Sequence, residues 1–169
     1  MPQADQSVEP LADAETYFQV QHFYATQLRY LDSGDAEAWA ATFTPDAVFA
    51  TNTMPKPIQG RPAIAAVVRR GAQRRAESGV VQRHWVGMLV VSRRADGAIV
   101  AQSYSLVTST PPGGPAAIAL TTVVDDVLVY RGGTWLTAER VVSHDDVPSV
   151  DGSPAAVPES AAVPATTGP

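Results

Sequence analysis

The sequence predicts an α+β domain, with helices first and an antiparallel sheet after them. Three features carry that expectation. Apolar residues near the start follow a helical stripe, the period changes to that of strands after residue 80, and a Pro/Ala-rich tail marks where folding stops. The tail, residues 147–169, could not bury enough apolar surface to offset its ordering entropy and is expected to be disordered. Residues 1–9 read as a flexible start, which leaves 10–146 as the folded unit.

Tyr17, Val20, Tyr24, Leu28 and Leu31 recur at steps of three and four and define the first helix. Gly34 supplies a left-handed stop, and Asp35 is a good cap for a short second helix through Trp39 and Phe43. Pro45 and Asp46 turn the chain into a strand, DAVFAT. After a Pro-rich loop, Arg61-Pro62 opens a third helix that runs to about Glu77, since proline fits a first helical turn. Four β-rich segments follow: VVQRHWVGMLVVS, AIVAQSYSLVTST, AIALTTVVDDVLVY and TWLTAERVVSH. The first and last joins are short enough for hairpins, and Pro111 to Pro115 form a longer loop. The strands are apolar on both faces: Val86, Met88 and Val90 alternate with Trp85, Leu89 and Val91. Helices cover only one face, so a homodimer contact is expected on the other.

Composition narrows the function. A chain of 169 residues with 45% hydrophobic and 17% charged residues is ordinary for one globular domain. A net charge of -5 argues against nucleic acid as partner. Cysteine is absent, which removes disulfides, thiolate nucleophiles and cysteine-ligated metals. No signal sequence or membrane-spanning stretch is evident, so a cytoplasmic location without membrane partners is the expectation. The three histidines stand apart, and no Gly-rich phosphate loop follows a strand, so neither a metal nor another cofactor is expected. Arg69, Arg70, Arg74 and Arg75 read as a solvated face of the third helix, with attraction of an anionic substrate carrier as the alternative.

Some residues stand out as candidates for chemistry. Asp32 follows Leu28 by four, at the end of the buried stripe, where a carboxylate must be solvated, capped or paired. His84 shares a strand face with Gln82, Val86 and Met88; imidazole is the side chain best matched to proton transfer near neutral pH. Asp125 and Asp126 are adjacent in an apolar strand, so one points inward. Asp126 is favoured as an inward general acid; the alternative pairs one of the two with Arg140 and leaves the other in water. Tyr24 and Tyr104 are preferred over Tyr30 and Tyr130 as phenolic donors, while Trp39, Trp85, Phe49 and Met88 could shape a cavity. Arg140 completes the substrate-binding set. His22 is expected at the surface, and so is His144, at the end of the last strand, with the pocket mouth as its alternative.

The ordered runs LDSGDAEAWAATFTPDAVF, GRPAI, QRHWVG and GGTWLTAER resemble the SnoaL-like polyketide cyclases over about Ala14 to His144. That resemblance implies a cone-shaped α+β fold, shared with ketosteroid isomerase and scytalone dehydratase, with three N-terminal helices packed on a curved antiparallel sheet around an apolar pocket. It further implies that Asp32 pairs with His84, because both occupy places matching an acid–histidine pair of scytalone dehydratase. That enzyme's second histidine and its first-strand tyrosine have no counterpart here, where TTVVDD and Thr51 stand. The expected function is a cofactor-independent acid/base enzyme that cyclises, dehydrates or isomerises a hydrophobic, oxygenated, polyketide-like intermediate. An epoxide-opening hydrolase and a non-catalytic binding or assembly module are the alternatives.

Overall fold

A computed structural model describes residues 10–147. The expected flexible start, and the expected tail apart from Val147, lie outside the described residues. Helix α1 spans Ala14–Ser33 and begins on Asp13, whose carboxylate accepts the Thr16 N–H at 2.8 Å. That bond pulls the Asp13 carboxyl below the usual carboxylate range. Gly34 ends the helix with φ 79°, a left-handed stop that costs glycine nothing. Its N–H returns to the Leu31 carbonyl at 3.2 Å. Asp35 caps α2 (Ala36–Ala41) by accepting the Ala38 N–H at 3.0 Å. Strand β1 (Phe43–Thr51) leads to a two-residue β2 (Ile58–Gln59), and α3 (Arg61–Ser78) carries its proline in the first turn. Strands β3 (Val81–Arg93), β4 (Ile99–Thr110), β5 (Ala117–Arg131) and β6 (Thr134–His144) complete the domain.

The six strands form one curved sheet in the order β2-β1-β6-β5-β4-β3. The cone-shaped α+β expectation holds, with one correction: β1 pairs with β6 in parallel, so the sheet is mixed. Only strands joined by a hairpin must run antiparallel, and the whole of α3 and the β3–β6 meander separates β1 from β6. Among the described residues no helix is long and apolar enough to cross a membrane.

A second correction concerns β3. Gly87 pairs with Tyr104 and Val90 with Gln102, so Met88 and Leu89 together oppose the single residue Ser103. This bulge interrupts the alternation expected from sequence. Leu89 turns inward with Val91, whereas Met88, at φ 52°, is 77% exposed.

The core is divided. One cluster joins Trp39, Phe43, Ile64 and Val68 between α2, α3 and β1. The other joins Val20, Tyr24, Ile99, Leu128 and Trp135 between the first half of α1 and the sheet. Between them the interior is polar: Gln27, Thr137, Asp126 and Arg140 are all buried.

Candidate active site

Asp32 lies in the last turn of α1 and His84 near the start of β3, and the fold brings them together. The Asp32 Oδ1 stands 2.6 Å from His84 Nδ1, while Oδ2 accepts the His84 backbone N–H at 3.2 Å. One carboxylate thus grips both the ring and the backbone of the same histidine. With the Nδ1 proton directed at Asp32, Nε2 is the basic nitrogen. It has no protein partner among the described residues. A helix C-terminus disfavours a negative charge, so an acid here gains from a donor facing it. Both side chains are mostly covered, His84 keeping 19% of its surface and Asp32 14%.

The pair borders a cleft of about 980 Å³ between α1 and β3. Tyr17, Tyr24, Leu28, Val86 and Leu89 line it, with Trp85 and Met88 at its exposed side. Its surface is mostly apolar, and a mostly apolar cleft with a few convergent polar groups suits a small hydrophobic ligand.

Deeper in the protein lies a second arrangement. Arg140 donates from Nε to Asp126 Oδ1 at 2.8 Å and from Nη2 to Oδ2 at 2.6 Å, a bidentate pair. Tyr24 donates its hydroxyl to Asp126 Oδ2 at 2.7 Å. Arg140 also donates to Gln27 Oε1 at 2.7 Å, and the Gln27 amide reaches the hydroxyls of Thr42 and Thr137. Asp126 is 1% exposed and Arg140 6%. Burial opposes the charge on Arg140, but the neighbouring Asp126 carboxylate more than offsets it and holds the guanidinium protonated. Burial, followed by the negative charge of Asp126, pushes the Tyr24 phenol well above its ordinary value near 10. A group with a raised folded pKa contributes its stability in full below about pH 10, and loses it as pH climbs toward the folded value. The Tyr24 phenol should therefore ionise only as the protein unfolds in alkali. Ultraviolet titration would check this, and reversible ionisation of all five tyrosines near pH 10 would contradict it.

This geometry corrects several expectations. Asp126 does point inward, but its oxygens are occupied by Arg140 and Tyr24, so it is an ion-pair partner and not a free acid. Arg140 likewise serves Asp126 and Gln27 and does not line the cleft. Asp125 faces the other way and accepts from Gln102 at 2.8 Å. Tyr104 is 60% exposed on the outer face, opposite Gly87 and Val123, and is not among the residues that line the cleft. Trp39 and Phe49 belong to the α2–α3–β1 cluster, where the Trp39 indole N–H has no partner among the described residues. Tyr130 is exposed and packs on Trp135; His22 is exposed on α1, as expected. Arg69 is paired with Glu37.

Sequence reasoning missed Gln27 and the inward hydroxyls of β4 and β5. Gln27 follows Tyr24 by three, a helical step that puts it on the buried stripe. Ser103 and Ser105 share the parity of Ala101 and Val107, so their inward position was legible in principle.

Relatives were found at two levels. The SnoaL-like domain family matches residues 12–141. Aln2 from a Streptomyces species is 34% identical, with a TM-score of 0.75 over 80% of this chain and 95% of that one. ActVI-ORFA from Streptomyces coelicolor is 31% identical, with a TM-score of 0.74 over 81% of this chain and 100% of the other. A protein from Catenulispora acidiphila, solved in complex with S-DNPA, is 38% identical, with a TM-score of 0.68 over 79% and 96%. Among curated proteins no match was found. A match along most of the folded unit, together with relatives above 30% identity that align over nearly their full length, makes this chain a member of the SnoaL-like family.

Proposed function

We propose that the protein is a cofactor-independent acid/base enzyme that cyclises, dehydrates or isomerises a hydrophobic, oxygenated, polyketide-like intermediate. The observation that carries this reading is the 2.6 Å contact between Asp32 and His84 at the edge of a largely apolar cleft. His84 Nε2 removes a proton from a substrate carbon or hydroxyl, and the resulting imidazolium is stabilised by the Asp32 carboxylate. The same imidazolium returns the proton at the position where the new bond or double bond requires it. The largely apolar cleft wall strengthens each of these electrostatic contacts. Membership of the SnoaL-like family, and a relative solved in complex with S-DNPA, support this reading. The deciding experiment is a turnover screen of fused-ring hydroxyketones with wild-type protein and with His84→Ala. Activity that ignores the substitution would remove the reading.

The working form we propose is a homodimer formed through the outer sheet face. Trp85, Val90, Tyr104, Leu106 and Ile118 are exposed there, an apolar patch on the side without helices. Leu106→Lys is expected to shift the protein toward monomer in sedimentation at micromolar concentration. A wild-type chain that is already monomeric would refute the dimer.

A further inference from the structure

Four strands contribute one continuous row across the inner face of the sheet. Val86 of β3 pairs with Ser105 of β4, Ser105 with Thr122 of β5, and Thr122 with His144 of β6. Three strand spacings make this row about 14 Å long. It begins at the cleft, which Val86 lines, and runs into the interior. Ser105 is also a diagonal neighbour of His84, because His84 pairs with Val107 two residues further along β4; such neighbours lie about 7–8 Å apart.

The hydroxyls on this wall are out of place for a structural core. Ser103, Ser105 and Thr122 are 4%, 6% and 5% exposed. None of the three makes a side-chain hydrogen bond among the described residues. Yet Trp39 Nε1 is the one fully enclosed side-chain polar atom without a partner there, so the little surface these residues keep includes their hydroxyl oxygens. Buried hydroxyls normally find partners, and an apolar residue would pack better at a position with none. Neighbouring inward positions behave differently: the Thr137 hydroxyl accepts from Gln27, and the Asp126 carboxylate is held by Tyr24 and Arg140. At the far end, Asn52 clamps the His144 backbone from both sides, accepting its N–H at 2.9 Å and donating to its carbonyl at 3.0 Å. His144, expected at the surface with the pocket mouth as the alternative, is half-buried on the inner face.

We propose that Ser103, Ser105 and Thr122, with His144 at the end of the row, form an oxygen-binding wall that positions the substrate against His84. A hydroxyl both donates and accepts, so the wall suits a neutral molecule bearing carbonyl and hydroxyl oxygens, and it does not select for charge. These are positioning residues: they hold the ring system while His84 acts on the carbon or hydroxyl nearest the cleft. The inference rests on the acid/base reading of His84 for its meaning, but not for its test.

The test measures binding without turnover. Isothermal titration calorimetry would compare 5-hydroxy-1-tetralone with tetralin, the same bicycle without oxygen, against wild type and the Ser105→Ala/Thr122→Val double variant. Wild type should prefer the oxygenated probe, and the double variant should lose about tenfold of that preference for each hydroxyl removed while binding tetralin unchanged. Thr122→Val keeps the shape of the side chain, and circular dichroism would verify the fold. A preference unaltered in the double variant, or absent in wild type, overturns the wall. Turnover surviving in His84→Ala overturns the function instead, so the two failures can be told apart.

Discussion

His84→Ala is expected to lower kcat by about 10²–10⁴-fold, the usual contribution of one positioned acid/base group, with the fold intact. The side chain lies at the cleft wall with part of its surface accessible, so its removal leaves no closed cavity in either core cluster. Asp32→Asn keeps size and shape but withdraws the charge that stabilises the imidazolium, and at least about tenfold should be lost. Because the two act as one unit, the double variant should be scarcely worse than His84→Ala alone. Measured rates that multiply across the two substitutions would mean that Asp32 and His84 act independently. The 2.6 Å contact would then be a structural pairing only.

Asp126→Asn is expected to destabilise the fold by about 3–5 kcal/mol, since it leaves the Arg140 guanidinium charged and buried without its counter-ion. At this chain length that corresponds to a fall in Tm of about 10–15 °C. Arg140→Met should cost a similar amount, because it strands the Asp126 carboxylate and removes the donor to Gln27 Oε1. Replacing both, as Asp126→Leu with Arg140→Met, should recover part of the loss, as apolar substitutes for a buried ion pair commonly do. Thermal unfolding followed by circular dichroism reads all three. A stable but inactive Asp126→Asn would reverse the assignment and return Asp126 to the chemistry.

The order and type of the helices and the four long strands were legible because they follow local rules. The stripe from Tyr17 to Leu31, the stop at Gly34, the cap at Asp35 and the proline of α3 each depend on neighbours a few residues away. The parallel pairing of β1 with β6 was not legible, since no local signal says which distant strand an edge will meet. The bulge at Met88 escaped for a related reason. Val86 to Val91 alternates on paper, and only the partner strand, short by one residue, forces two residues to share one position.

The site divides along the same line. That one of two adjacent strand carboxylates must face inward follows from a period of two, and Asp126 is the one that does. What it meets there does not follow: a general acid in an apolar pocket and half of a bidentate ion pair look identical until Arg140 and Tyr24 are seen to converge on it. The reverse holds for Tyr104, whose outward direction its parity with Gln102 and Leu106 already implied.

By itself the sequence determined the helices, the long strands, the inward parity of Asp126, Ser103 and Ser105, and the acid and imidazole that invite pairing. Only the tertiary structure decided that Asp32 grips His84, that Asp126 is already taken, and that three buried hydroxyls lie on the same inner sheet face as His144. The physical reason is that periodicity dictates which way a side chain points, whereas its protonation, partners and chemistry depend on groups brought from 14 to 113 residues away.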